Sequence, residues 1–282
     1  MRHFLKLQFM NSKTISPPAI EFSGSIPHHY EEFLGPMFFE PYAIEVSKRI
    51  NSSSVHFALE LACGTGRVTR HLRNVISPNA KLIASDISPD MLAVAEEKLG
   101  TSNIGWQIID AQELPFVDNS IDLVVCCFGY MLVPDKLTAY AEAYRVLRPG
   151  GMLLFATWDK LEHNAASYVY RTVVKKYLGE PLPEIYKLPF SMNDDGEIRK
   201  DLQRAGFSEI IIEGVDKVSV SPTAKEAANG LAQGGSIYNE IIKRNPAWID
   251  EIKETVEQEL AKKYGASPMI APMRALITEA WK

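Results

Sequence analysis

The stretch that most constrains the fold of this chain is Ala58–Thr69, ALELACGTGRVT, where an apolar run meets a turn of small residues. The segment Val55–Leu61 is short, largely apolar and bounded by serines before it and glycine after it, which predicts a buried strand. Gly64 and Gly66 permit backbone conformations and a close approach that side chains would block. The helix predicted to start at Arg67 would point its free N–H groups toward this turn, so the stretch predicts a nucleotide-type pocket.

Glu60 is an anomaly in that strand. A carboxylate near the end of a buried strand is costly unless it finds a charged or hydrogen-bonding partner. We therefore expect Glu60 to face a ligand site rather than the core.

Strands and helices alternate along the first 160 residues. Strands are predicted at Val55–Leu61, Lys81–Asp86, Ile104–Asp110, Ile121–Phe128 and Met152–Thr157, and helices at Arg67–Val75, Pro89–Leu99 and Lys136–Leu147. The second half adds helices at Ala165–Leu178 and Asp194–Ala205, strands at Ser208–Val215 and Met273–Trp281, and a large insertion before the final strand. This order predicts an α/β fold with a doubly wound, mostly parallel, seven-stranded Rossmann-like sheet and helical cap insertions.

The chain divides into three predicted parts. Residues 1–50 form an N-terminal extension and lid helices, 51–160 form the cofactor-binding core, and 161–282 complete the sheet and carry the cap. The first thirteen residues are amphipathic and their apolar part is too short for a signal peptide, so we expect a loose extension there.

Carboxylates close two further strands. Asp86 lies 20 residues beyond Gly66, the spacing at which an acidic side chain accepts hydrogen bonds from ribose hydroxyls in such folds, although capping of the turn by Asp86 remains the alternative. Met91, in the first turn of the next helix, can cover a purine face or simply pack. Asp110 opens the loop after the third strand, so that these side chains meet at the ligand-binding edge of the sheet.

Composition narrows the class of partner. The net charge is −5, and no long basic run could follow a phosphate backbone, which argues against nucleic acid as the main partner. The three cysteines, Cys63, Cys126 and Cys127, show no metal-ligand spacing. This cysteine pattern favours a reduced, cytoplasmic protein. No apolar stretch reaches the roughly 18 residues that a spanning helix needs.

Five strings in order carry a family resemblance: LELACGTG, ASDISPDML, IIDAQELPF, DLVVCCFGYMLVPD and YRVLRPGGMLLFATW. Together they resemble the class I S-adenosylmethionine-dependent methyltransferases, especially the small-molecule branch with the ubiquinone and menaquinone C-methyltransferases. The resemblance implies S-adenosyl-L-methionine as cofactor and methyl transfer to a small molecule. It is strong over Val55–Trp158 and only in outline beyond.

The resemblance also implies a role for each matching residue. Glu60, with the backbone of Ala62, Cys63, Gly64, Thr65 and Gly66, would hold the methionine half of the cofactor. Asp86 would accept the ribose hydroxyls, Ile87 and Met91 would enclose the adenine, and Asp110, Ala111 and Gln112 would bind its edge. Cys127 and Phe128 would pass beside the sulfonium. Apart from the resemblance, Tyr30 is predicted at the site because it lies where the N-terminal segment would enter the cleft. Glu60 replaces the commoner aspartate, and Cys127 stands where polar residues are frequent.

Two other functions stay open at this stage. An NAD(P)-dependent oxidoreductase would share the turn and the acidic residue, but Thr69 stands where a third glycine would complete G-x-G-x-x-G. A catalytically inactive module that binds cofactor to regulate a partner is the other alternative.

No catalytic residue is assigned from the sequence. The available bases near the predicted mouth are His28, His29, Tyr30, Tyr130 and His163. Tyrosines mixed with aliphatic residues in the predicted cap (Tyr168, Tyr170, Tyr177, Tyr186 and Tyr238) suggest a moderately apolar acceptor. The oligomeric state is not readable.

Overall fold

The computed structural model describes residues 22–101 and 103–282, so the loose extension predicted for the first thirteen residues lies outside the described residues. Seven strands form one sheet: β1 Phe57–Glu60, β2 Lys81–Asp86, β3 Gly105–Ile108, β4 Ile121–Cys127, β5 Leu147–Trp158, β6 Glu209–Ser221 and β7 Met269–Trp281. Their order is β3-β2-β1-β4-β5-β7-β6. Only β7 runs antiparallel to its neighbours β5 and β6, which confirms the predicted doubly wound, mostly parallel sheet.

Helices cover the sheet and build a cap above it. They are α1 Ile26–His29, α2 Glu40–Ser47, α3 Arg67–Val75, α4 Pro89–Leu99, α5 Lys136–Val146, α6 Ala165–Leu178, α7 Glu184–Lys187, α8 Asp195–Ala205, α9 Ala224–Gln233, α10 Ile237–Arg244 and α11 Trp248–Tyr264. A π-helix, Tyr30–Phe39, joins α1 to α2 and contains Pro36. Because α3 to α5 connect neighbouring parallel strands, the carboxyl ends of β1 to β5 share one edge.

The central strands are buried on both faces, as their continuous apolar runs require. In β4, Val124 and Val125 are fully buried, and in β5 so are Leu154 and Phe155. The helix predictions were accurate to within one residue for α3, α4, α5, α6 and α8. Helix ends marked by caps are the reason: the Ser88 hydroxyl, for example, accepts the Met91 N–H at the start of α4.

Strand ends were less well predicted. β5 begins at Leu147 rather than Met152, because Leu147 already pairs with Ile121 and the Pro149–Gly151 turn lies inside the strand as an irregularity. The residues Leu61, Asp110 and Phe128 were predicted as strand ends but follow the strands as loop residues. These loop residues lie at the carboxyl edge of the sheet, where strand pairing ends and the candidate site begins.

The last two strands are longer than predicted. β6 and β7 pair over thirteen residues each, from Glu209↔Trp281 to Ser221↔Met269. Residues 222–268 therefore leave and re-enter the sheet at one rung, where the Ala224 N–H donates to the Ala266 carbonyl at 2.9 Å. This insertion holds α9, α10 and α11; α9 packs on the π-helix, and α11 packs on α6.

Candidate active site

One cavity of about 370 Å³ lies at the carboxyl edge of the strands, between the sheet and the cap. Its size suits a small-molecule site. Its walls include eleven of the predicted site residues, namely Tyr30, Ala62, Gly64, Asp86, Ile87, Met91, Asp110, Ala111, Gln112, Cys127 and Phe128. The structure thus gathers residues from four separate loops and from the N-terminal segment.

The other four predicted residues support the turn without lining the cavity. Cys63 and Gly66 close the turn, with the Gly66 N–H donating to the Cys63 carbonyl at 3.0 Å. The Thr65 hydroxyl is buried and donates to the Glu31 carboxylate at 2.6 Å. Glu60 is buried, and its Oε2 atom makes no hydrogen bond within the described residues.

The buried carboxyl of Glu60, whose Oε2 atom has no hydrogen bond within the described residues, has a strongly perturbed acidity. Removal from water raises the pKa of Glu60 to about 8, and the nearby Asp86 carboxylate adds to the rise. Buried carboxyl groups are normally paired, and a positive group close to Glu60 would stabilise its ionised form. Glu60 is therefore suited to meet a cation, and its role at a ligand site stays a prediction, because the side chain is buried and does not line the cavity.

Asp86 ties the second strand to the glycine turn. Its Oδ2 atom accepts the Gly64 N–H at 2.8 Å, and its Oδ1 atom accepts the Ser88 N–H at 2.9 Å. Burial raises the pKa of Asp86 despite these bonds. Each carboxylate oxygen can accept a second hydrogen bond, so capping of the turn and ribose binding are compatible roles.

Two non-glycine residues at the edge have left-handed backbones. Ala62 follows β1 with φ +51°, and Phe128 follows β4 with φ +59°. Such conformations cost free energy and cluster at functional sites. They bring the two loops together at Gly129, where an added Cβ would lie 2.4 Å from the Cβ of Ala62.

The segment that follows β2 places apolar side chains beside the carboxylates. Ile87 is about half exposed although it is large and apolar, and Met91 beside it is buried; both line the cavity. Asp110 holds its own loop, because its Oδ1 atom accepts the Gln112 backbone N–H at 2.9 Å. This combination of an exposed apolar surface and a fixed carboxylate fits a planar heterocycle.

Aromatic rings form the wall between the edge of the sheet and the cap. Phe128 stacks on Trp158 with ring centroids 4.2 Å apart, and Tyr30 stacks on Phe39 at 4.8 Å. Phe39 meets Phe128 edge to face at 5.3 Å, which joins the two pairs. Electron-rich ring faces attract cations, so the wall suits a positively charged centre.

The N-terminal segment is fastened over the cavity by ion pairs. Glu31 lies 2.6 Å from Arg67 and 2.8 Å from Lys98, in addition to its bond from Thr65. Arg67 also pairs with Glu40 at 3.3 Å. These contacts hold the π-helix against the turn that precedes α3, and so place Tyr30 in the cavity.

Sequence reasoning missed several residues. Phe22 lines the cavity, and its carbonyl accepts the Ser88 hydroxyl at 2.9 Å; nothing in the sequence marks this residue. Trp158 was detectable, because it ends the fifth strand at the same edge. Of the candidate bases, only Tyr30 lines the cavity. His163 pairs instead with Asp159 at 2.9 Å outside it, and Tyr130 is buried in the core.

Parallel strands, a glycine turn and carboxylates at successive strand ends define a nucleotide-type ligand site of the doubly wound class. Residues 58–151 match the model of the methyltransferase domain family. The demethylmenaquinone methyltransferase of Staphylococcus carnosus is 30% identical over 229 residues, covering 73% of this chain and 93% of that protein. The chain therefore belongs to the S-adenosylmethionine-dependent methyltransferase family.

A second relative is similar over a shorter stretch. The ubiquinone/menaquinone biosynthesis C-methyltransferase UbiE of Pseudoalteromonas translucida is 36% identical over 153 residues, covering 52% of this chain and 61% of that protein. The chain therefore spans about three fifths of that relative's length.

A solved structure confirms the fold. The phosphoethanolamine N-methyltransferase 2 of Haemonchus contortus, bound to phosphomonomethylethanolamine and S-adenosylhomocysteine, superposes with a TM-score of 0.58 at 18% identity, over 91% of this chain and 56% of that one. Within the described residues no helix has the length and apolarity to cross a bilayer.

Proposed function

We propose that the chain transfers the methyl group of S-adenosyl-L-methionine to an uncharged, largely apolar small molecule. One observation carries the proposal: a single cavity joins the carboxylates Asp86 and Asp110 to apolar side chains of the cap such as Leu231 and Ile237. A polar nucleoside and an apolar acceptor can therefore lie next to each other.

The residues at the sheet edge fit the cofactor. At Gly64 the backbone has φ +56° and an added Cβ would meet nothing within 4 Å, so the turn faces open space. Asp86 would accept ribose hydroxyls, Ile87 and Met91 would cover the adenine, and Asp110 would bind its amine. Glu60 would compensate the ammonium charge.

When bound, S-adenosyl-L-methionine supplies a methyl group on a cationic sulfur, which is an activated leaving group. The side chains then need to align the acceptor and exclude water, and both effects accelerate a displacement. Phe39, Phe128 and Trp158 offer ring faces to positive charge, and the fastened N-terminal segment closes the cavity on one side.

The acceptor end is apolar and aromatic. Leu34, Phe38 and Phe190 line it together with the aliphatic residues of α9 and α10. The curated relatives are named for methylation in ubiquinone and menaquinone biosynthesis, and an apolar ring compound of that kind suits these walls.

Calorimetry with S-adenosylhomocysteine, S-adenosylmethionine, NAD and NADP tests the cofactor, and a methylation screen over quinols, phenols, sterol-like compounds and charged amines, read by mass gain, tests the reaction. We expect binding of the two sulfur compounds and methylation of apolar members of the screen. Binding of a nicotinamide dinucleotide alone would support the oxidoreductase instead. Binding of S-adenosylmethionine without methylation of any acceptor would favour a regulatory module.

A further inference from the structure

Three hydroxyl-bearing side chains from α6 and α7 lie in the largely apolar cap. Ser167 and Tyr170 are three residues apart on α6 and hence on one face of that helix, and Tyr186 belongs to α7. All three line the cavity. The Tyr186 hydroxyl donates to the Ser167 carbonyl at 3.5 Å, and its ring lies 6.3 Å from that of Tyr170.

Tyr170 differs from Tyr186 in its hydrogen bonding. The residue is only 4% exposed, and its hydroxyl has no hydrogen-bond partner within the described part of the chain. A buried hydroxyl without a partner is destabilising, and such groups in native proteins need an explanation. Burial also raises the pKa of Tyr170, so the phenol keeps its proton and remains a donor at neutral pH.

We propose that Tyr170 determines acceptor specificity by donating a hydrogen bond to an oxygen atom of the methyl acceptor. The acceptor is then an apolar molecule that carries a hydroxyl or carbonyl group, with that oxygen directed toward α6. This inference rests on the proposed function, because it assumes that the acceptor occupies the cap end of the cavity. Sites built to hydrogen-bond an oxygen reject analogues without it, since the polar group of the protein is left unpaired.

Two probes of similar size test the role of Tyr170. Equilibrium dialysis of 2-naphthol and of naphthalene is carried out against the full chain saturated with S-adenosylhomocysteine. The wild type should bind 2-naphthol about tenfold more tightly than naphthalene, which corresponds to a difference in binding free energy of about 1.4 kcal/mol. Tyr170→Phe should bring the ratio of the two affinities close to one, because it weakens the binding of 2-naphthol and leaves the binding of naphthalene unchanged.

Tyr140 provides a matched control. Its hydroxyl is also buried without a partner, but Tyr140 lies on α5 and does not line the cavity. Tyr140→Phe removes the same atom and should leave the affinity ratio at the wild-type value. A merely structural effect of losing a buried hydroxyl would not change this ratio.

The remaining outcomes separate the two proposals. Three results would overturn the role of Tyr170. They are a ratio of the two affinities near one in the wild type, an unchanged ratio in Tyr170→Phe, and no binding of either probe. In each of these cases retention of S-adenosylhomocysteine leaves the proposed cofactor intact. Failure of the wild type to bind S-adenosylhomocysteine would overturn the proposed function itself.

Discussion

The Asp86 carboxylate accepts the backbone N–H of Gly64 at 2.8 Å, so the second strand fixes the turn that follows the first. Asp86→Ala removes this bond and the proposed ribose contacts together. Because hydrogen bonds to charged groups contribute about 1.5–3 kcal/mol, we expect S-adenosylhomocysteine affinity to fall by about 10- to 100-fold in calorimetry.

Asp90→Ala is the matched control for this variant. Asp90 accepts the Gly24 N–H at 3.1 Å but does not line the cavity. The affinity of Asp90→Ala for S-adenosylhomocysteine should stay within about twofold of the wild-type value, since substitutions at exposed positions away from such sites have small effects. An equal loss of S-adenosylhomocysteine affinity in both variants would contradict a specific role of Asp86 in cofactor binding.

The raised pKa of Glu60 makes stability depend on pH. The ordinary pKa is 4.5 and the folded value is about 8, so between these values the folded chain holds a proton that the unfolded chain has lost. This contribution to the free energy of unfolding is complete below pH 4.5 and is lost as the pH rises through 8. Glu60→Gln should therefore be more stable than the wild type at pH 9, with a smaller difference at pH 5, in urea unfolding without cofactor.

Cofactor binding should release a proton from Glu60 below pH 8, because a cationic ammonium favours the ionised carboxylate. Calorimetry of S-adenosylhomocysteine binding at pH 6.5 in two buffers of different ionisation enthalpy measures this release. The released fraction should be smaller in Glu60→Gln, while any contribution from Asp86 persists. Identical proton release in both proteins would contradict the assignment.

The contacts of Glu31 predict slow cofactor exchange. Glu31→Ala removes the bonds to Thr65, Arg67 and Lys98 that hold the π-helix over the site. We expect S-adenosylhomocysteine to dissociate at least about tenfold faster in stopped-flow measurements, because a hydrogen bond to a charged group contributes about 1.5–3 kcal/mol and the segment opens more easily without it. Glu32→Ala, at an exposed neighbouring position, should not change the rate; equal rates for all three proteins would exclude a fastening role.

Close packing at Gly129 predicts a steric effect. A Cβ there would lie 2.4 Å from the Ala62 Cβ and 2.8 Å from the Cys126 Sγ. Gly129→Ala should lower the free energy of unfolding by about 1–3 kcal/mol, the usual cost of overpacking. At Gly105 the nearest side-chain atom, on Ile83, is 3.5 Å away, so Gly105→Ala should be close to neutral in the same denaturation experiment.

Helix caps and apolar runs are set by residues close together in sequence, and the elements that they mark could be predicted from the sequence. The cap at Ser88 and the apolar runs of β2 and β4 depend on neighbouring residues, and they predicted these elements closely. The carboxylates at Asp86 and Asp110 followed from strand ends meeting at one edge.

The rest depends on contacts between distant segments. Phe22 lies at the site where its carbonyl accepts the Ser88 hydroxyl and its ring meets that of Tyr30, and the long pairing of β6 with β7 is set by partners far apart in sequence. The π-helix Tyr30–Phe39 leaves no simple periodicity, since its repeat differs from that of an α-helix. Tyr170 looked like its neighbour Tyr168, and only burial distinguishes the lining residue from the exposed one.

The insertion between β6 and β7 has a consequence for how such a protein can change its acceptor. Its two ends are a single paired rung, Ser221↔Met269, so a different length of chain can be accommodated there without shifting the ladder. Leu231 and Ile237, which come from this insertion, line the proposed acceptor end of the cavity, whereas the carboxylates come from other loops. The part of the proposed acceptor site that belongs to this insertion is thus contiguous in the chain, and a grafted loop of another sequence could alter that part while Tyr170 on α6 and the carboxylates stay unchanged.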